Sequence, residues 1–227
     1  MDMRVILFGS TGMVGGSVLR ECLDDPRVTS VVAVGRGASG LAHDKLTDVV
    51  RRDLSSYADA PDLFRGADAC FFCLGVSSVG MDEAAYSRIT YDLTIAAADA
   101  FAAMNPGGVF CYVSGEGTDS TEKGRAMWGR VKGRTENRLL AMPLDARMFR
   151  AGLIVPRKDV PSKTRWYRAF YAAADPFMPV LRFLFGRHIT TATNVGRAMI
   201  ACALGRAETR ILENADINRL AESLPAA

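Results

Sequence analysis

"GSTGMVG", residues 9–15, follows the apolar run "RVILF" and opens the helical pattern "MVGGSVLRECLDD". Gly9, Gly12 and Gly15 recur at three-residue intervals across this strand-to-helix junction. Glycines there let the chain turn sharply, let a pyrophosphate approach the main chain and let the helix pack on the strand. The helix N-terminus adds unpaired N–H groups and the positive end of its dipole. Such a string is weak alone, but a strand before it and a helix after it supply the context that a dinucleotide fingerprint requires. The turn therefore nominates Gly9, Ser10, Thr11, Gly12, Met13, Val14 and Gly15 as a cofactor-binding set.

Outward from this turn, apolar runs of strand length alternate with segments of helical period, the pattern of a parallel βαβ architecture. "VTSVVAVGR" reads as the second strand, "LTDVVRRDL" as the third, and "ADACFFCLG" as a fourth covered on both faces. A helical pattern runs from about Asp82 to Met104 and is stopped by "NPGG". "GVFCYVSG" is the fifth strand, "RAMWGRVKGRTENRLLAM" the next helix and "ARMFRAGLIV" the sixth strand. "TRILE" is a short strand between the closing helices "TATNVGRAMIACALG" and "DINRLAES". The expected fold class is α/β, a doubly wound parallel sheet with helices on both faces, in a single domain over residues 1–227. Residues 156–190, where the alternation lapses, read as a small C-terminal substrate-covering insertion.

At 227 residues and 49% hydrophobic content, the chain is long enough for one well-buried core. A net charge of +3 is spread along the chain, not gathered into the stripe that nucleic acid requires. Five cysteines lie within apolar runs, which suits a reducing compartment, the cytoplasm by default. Cys70 and Cys73 form C-x-x-C, but three residues apart on a strand they point to opposite faces. No basic leader with a long apolar stretch is visible, so no secretion is expected. The aromatic segment 166–185 is broken by Arg168, Asp175, Pro176, Pro179 and Arg182, and fails as a span of about 20 apolar residues. It reads as a pocket lid, or as a contact for a protein partner or a membrane surface. His43 and His188 stand alone in sequence, and no cluster has metal-ligand spacing, so no metal is expected.

Three further stretches bear on the cofactor. In "VGRG", after the second strand, Arg36 stands where an acidic residue would hold the ribose hydroxyls of NAD. A guanidinium suits a 2′-phosphate in charge and in geometry, which points to NADP(H). In "RRDLSS", Asp53 either accepts from the adenine amino group, with Leu54 on the ring, or caps the helix expected near "SSYADAPDLF". In "CLGVSS", Leu74, Gly75 and Val76 turn past the cofactor at the tip of the fourth strand.

The order of "GSTGMVG", Arg36, "RRDL", "CFFCLG", "YVSGEG", the W-x-x-x-K helix and "FRAGLIVPR" resembles the atypical or extended branch of the short-chain dehydrogenase/reductases. Within it, "CLG", "VKG", "FRAG" and "ILENADI" are similar to segments of small oxidoreductase-like proteins related to the Tat-interacting protein. The resemblance implies a Rossmann-type sheet with NADP(H) along its C-terminal edge, and brings Ala151, Gly152 and Leu153 into the cofactor set. It also implies a serine that polarises the substrate carbonyl, a tyrosine that transfers the proton, and a lysine that holds the nicotinamide ribose. Ser114 and Lys132 take the serine and lysine positions. Trp128 stands in the tyrosine position, and an indole N–H does not ionise usefully. Glu116, Tyr86, Tyr91 and Tyr167 are the candidates to replace the phenol. The expected function is an NADP(H)-binding oxidoreductase acting on a small activated substrate, against a non-catalytic NADP(H)-sensing or scaffolding module and, third, an epimerase.

Overall fold

Alternate residues of β1 (Met3–Phe8) feed two separate cores: Met3, Val5 and Leu7 enter one, Ile6 and Phe8 the other. A strand apolar on both faces needs cover on both, and the rest of the chain supplies it. The computed structural model describes residues 2–157, 159–160 and 188–225. After β1 come α1 (Met13–Asp24), β2 (Val28–Gly35), β3 (Leu46–Val50), a 3-10 turn at Pro61–Phe64 and β4 (Ala69–Phe72). Then follow α2 (Glu83–Ser87), a π-helical turn at Arg88–Asp92, α3 (Leu93–Met104), β5 (Val109–Val113), α4 (Met127–Leu140), β6 (Asp145–Arg150) and β7 (Leu153–Val155). The last described elements are β8 (Ile189–Thr191), α5 (Ala192–Ala203), β9 (Ile211–Glu213) and α6 (Asn214–Glu222).

Seven strands pair in the order β3-β2-β1-β4-β5-β6-β9, every pairing parallel, with Phe8 opposite Val34 on one side and Phe72 on the other. Val18, Leu19 and Cys22 of α1 share one core with Val195 and Met199 of α5 and Ile217 of α6. Ala97 and Phe101 of α3, Leu139 of α4 and Phe64 of the 3-10 turn line the other. Cys70 belongs to the second core and Cys73 packs against the first, so the C-x-x-C thiols do face apart. All five cysteines are unpaired thiols. Because the strands are parallel, their C-terminal ends form one edge, and the strand order reverses between β1 and β4. Ligands of open α/β sheets bind in the crevice at such a reversal.

The sixth expected strand is two strands. The chain leaves the main sheet at Ala151, whose carbonyl accepts the backbone N–H of Glu116 at 3.0 Å, while the Gly152 N–H donates to Asn214 Oδ1 at 3.2 Å. These bonds replace ladder pairing, and Leu153–Val155 then pairs with β8 in a separate two-stranded sheet. The helix expected near "SSYADAPDLF" is only the 3-10 turn opened by Pro61. The long helix after Asp82 carries a five-residue π segment, and its first turn is capped by the Asp82 carboxylate, which accepts from the Ala85 N–H at 2.7 Å. No helix among the described residues is long and apolar enough to cross a membrane. Segment 166–185, and with it most of the expected insertion, lies outside the described residues.

Candidate functional site

Gly9 has φ +84°, a left-handed conformation that L side chains rarely adopt, and a Cβ there would lie 2.7 Å from the Cys73 carbonyl carbon. Its own carbonyl accepts the Gly12 N–H at 2.9 Å and closes the turn. A Cβ on Gly15 would lie 2.2 Å from the Gly9 oxygen. The turn is thus held between β4 and the first turn of α1, with no room at either contact. Gly12 is the N-cap of α1 and no side chain caps the helix, which leaves the first N–H groups available to an anion. This end of α1 opens onto a groove of about 480 Å³ lined by Gly9–Gly12, Gly35–Ala38 and Cys73–Gly75.

Arg36 lies on the β2 side of that groove, exposed and without an ion pair among the described residues. Leu74 and Gly75 line its β4 side, and a Cβ on Gly75 would meet nothing within 4 Å. Val76 is exposed beyond them. Leu54 is buried in the second core, and Asp53 is engaged locally: its Oδ1 accepts the Ser55 N–H at 2.8 Å and the Ser55 hydroxyl at 2.7 Å. Those two bonds hold the Asp53 carboxyl below its ordinary range. The structure therefore places Ser10, Thr11, Arg36, Leu74 and Gly75 around one groove, and Asp53 and Leu54 are not among the residues that line it.

A second cluster sits along the same edge, at the ends of β5 and β6. The Lys132 ammonium, from the middle of α4, donates to the Ser114 carbonyl just past β5. Ser114 is buried, with 4% of the residue exposed, and its hydroxyl donates into the sheet, to the Phe149 carbonyl at 3.3 Å. Trp128, one turn before Lys132, lays its ring on the loop after β5: a Cβ on Gly117 would lie 3.1 Å from the indole edge, and one on Gly115 would lie 4.0 Å from it and 3.7 Å from Lys132 Nζ. Small residues on α4 bring that loop down onto the helix, since a Cβ on Gly133 would fall 1.8 Å from the Asp119 carbonyl oxygen.

Burial pushes the Lys132 ammonium down to about 8, against the opposing pull of the Glu136 carboxylate. The unfolded chain keeps this proton to about 10.5, so between pH 8 and 10.5 the unfolded state binds more protons and folding stability rises with pH. The benefit is complete above that window and is lost as pH falls through 8. Denaturant midpoints measured from pH 7 to 10.5 are expected to climb more steeply in the wild type than in Lys132→Met, and parallel curves would refute this titration.

Glu116 and His188, 72 residues apart in sequence, meet in space: Glu116 Oε1 lies 2.5 Å from His188 Nδ1, with the two side chains 39% and 43% exposed. Sequence spacing holds no signal for this pair, because it exists only once β8 pairs with β7. Gly152 is the floor beneath it, since a Cβ there would lie 2.3 Å from Glu116 Oε2 and 2.7 Å from both Asn214 Nδ2 and the His188 carbonyl oxygen. Tyr86 is buried, which raises its phenol, Tyr91 carries the Arg134 guanidinium 4.6 Å above its ring, and Tyr167 is outside the described residues.

This architecture has counterparts among solved structures. The Bordetella bronchiseptica enzyme WbmF in complex with NAD+ superposes with a TM-score of 0.69 at 14% identity, over 98% of this chain and 78% of that one. The chain has a Rossmann-type fold. No family model matches it. Among curated proteins, leucinostatins biosynthesis cluster protein T of Purpureocillium lilacinum is 31% identical over 147 residues, 63% of this chain and 53% of that protein. The chain therefore spans about half the length of that relative. Protein fmp52, mitochondrial, of Emericella nidulans is 28% identical over 183 residues, 75% of each chain.

Proposed function

We propose that the chain is an NADP(H)-binding oxidoreductase that reduces a small, electronically activated organic substrate. One observation carries the reading: the uncapped N-terminus of α1 and its glycine turn open onto a groove whose far side bears the exposed Arg36 guanidinium. The N–H groups suit a pyrophosphate and the guanidinium a 2′-phosphate. From the end of β2 to the end of β5 is three strand spacings, about 14 Å, a distance that an extended dinucleotide can bridge between Arg36 and Lys132. The NAD+ of WbmF supports a nicotinamide dinucleotide on this fold.

When bound, the dinucleotide supplies a hydride at nicotinamide C4. Lys132 then holds the nicotinamide ribose, and Trp128 walls the site beside the loop after β5. The indole cannot give up a proton in the working range. An electron-poor acceptor lowers the demand for an acid, which is why an activated substrate is favoured. Five unpaired thiols favour a reducing compartment, the cytoplasm in the first instance.

Titration of the purified protein with NADPH and NADH tests the reading. Charge-assisted hydrogen bonds are worth about 1.5–3 kcal/mol, so NADPH should bind about 10- to 100-fold more tightly. Arg36→Ala should erase that preference and leave NADH binding in place. Equal affinities in the wild type would retire Arg36, and no binding of either nucleotide would retire the function.

A further inference from the structure

We propose that Arg157 and Asp159, two residues that do not line the groove, clasp α1 and position its N-terminal turn, so that ion pairs along the helix set part of the affinity for a nicotinamide nucleotide. The proposal rests on the NADP(H) reading and adds positioning residues to it.

Beyond β7 the chain makes a turn closed by the Val160 N–H, which donates to the Arg157 carbonyl at 3.0 Å. The turn lies against one row of α1. Gly16, Arg20 and Asp24 are four residues apart and stack along one face of the helix, with Glu21 beside them. Asp159 Oδ2 pairs with Arg20 Nε at 2.8 Å, and Asp159 Oδ1 with Arg157 Nε at 2.9 Å. Arg157 Nη1 donates to Glu21 Oε1 at 2.7 Å, and its Nη2 lies 3.5 Å from Asp24 Oδ2. Val160 comes down at the head of the row, where a Cβ on Gly16 would lie 2.9 Å from Val160 Cγ1 and 3.1 Å from the Ser10 carbonyl oxygen. The Gly16 N–H donates to the carbonyl of Gly12, the N-cap, at 2.8 Å, and Ser10 lines the groove. The turn thus grips α1 by charge toward its C-terminus and by packing at the end proposed to hold phosphate.

Glu21 gives the grip its strength. Its side chain is 13% exposed, and burial pushes its carboxyl above the ordinary range against the pull of Arg157. Gly196 of α5 lies against its stem, since a Cβ there would be 2.8 Å from Glu21 Cγ. Removing the guanidinium therefore leaves a mostly buried carboxylate without its partner. Relief requires Glu21 to turn toward water or α1 to shift along the row that ends at Gly16.

The test titrates the full chain with NADPH and with NADH by calorimetry, at a temperature where circular dichroism shows each protein folded. In Arg157→Gln both nucleotides should bind at least about fivefold more weakly, the low end of couplings between separate sites. Their affinity ratio should hold, because the clasp acts on the end of α1 that either pyrophosphate would use and Arg36 is untouched. Arg157→Lys should recover part of the loss, since it keeps the charge without the guanidinium fork that serves three carboxylates. Asp159→Asn removes a half-exposed carboxylate at little cost to the fold. It should weaken both nucleotides in the same direction, and it decides the matter if Arg157→Gln does not fold. The gap between the wild type and Arg157→Gln should narrow as salt rises, because partly exposed pairs are screened. By reciprocity, NADPH should slow amide exchange at Val160, whose N–H closes the turn. Unchanged affinities in a folded Arg157→Gln overturn the proposal, as does a loss confined to NADPH or one that Arg157→Lys leaves wholly unrecovered. Each of these outcomes spares the NADP(H) reading. A wild type that binds neither nucleotide overturns that reading and the proposal with it.

Discussion

Gly15→Ala is expected to weaken NADPH binding at least about 100-fold, equivalent to about 2.7 kcal/mol, and to destabilise the fold as well. The added methyl would lie 2.2 Å from the Gly9 carbonyl oxygen and 2.6 Å from its carbon, both backbone atoms that no rotamer change can move. The turn cannot retreat, because Gly9 is already against the Cys73 and Leu74 backbone, where a Cβ would find contacts of 2.7 and 2.8 Å. Relief therefore requires α1 to shift outward and carry away the N–H groups proposed to hold phosphate. Overpacking of this kind costs about 1–3 kcal/mol, which urea denaturation reads directly. Gly75→Ala separates the two effects. Its methyl meets nothing within 4 Å, so stability should be unchanged, and any lost NADPH affinity reports contact with the ligand. A Gly15→Ala protein that folds and binds NADPH within threefold of the wild type would break the link between turn and phosphate.

The same turn explains why so much of the fold was legible in the sequence. Strand, glycine turn and helix are local, and once they are placed, the near-continuous apolar runs of β2, β4 and β5 have few alternatives to a parallel sheet covered on both faces. Long-range contacts carry no such local signal. Glu136 sits on a helix whose apolar side is written in Leu139, Leu140 and Met142, where a glutamate reads as solvent-facing. It is in fact fully buried, because Arg150 of β6 reaches under α4 to meet it. The break at Ala151–Gly152 depends on Glu116 and on Asn214, 62 residues away from Gly152, and is equally invisible in "ARMFRAGLIV". Ser114 was legible as the residue after β5, but its hydroxyl turns into the sheet, while Glu116, two residues on, reaches the surface.

The buried ion pair carries the second large expectation. Arg150→Ala should cost about 3–5 kcal/mol of stability, the usual penalty for stranding one partner of a buried pair, and for a chain of this size that corresponds to a fall in Tm of about 10 °C. Arg150 donates to both Glu136 oxygens, at 3.1 and 3.2 Å from Nε and 2.5 Å from Nη2, and to the Ser120 hydroxyl at 2.5 Å, so β6, α4 and the loop between β5 and α4 are joined by one side chain. Glu136 has no exposure through which water could compensate it. The double variant Arg150→Met with Glu136→Leu should recover most of the loss, because it removes the uncompensated charge along with the pair. If the double variant is as unstable as Arg150→Ala, packing around the arginine, not its charge, holds this junction. The pair also reaches the site. Glu136 is the charge that opposes the burial of Lys132, so Glu136→Gln should drive Lys132 further toward its neutral form and lower NADPH affinity at pH 7. A pair that joins β6 to α4 thereby also partly offsets the burial of the lysine proposed to hold the nicotinamide ribose.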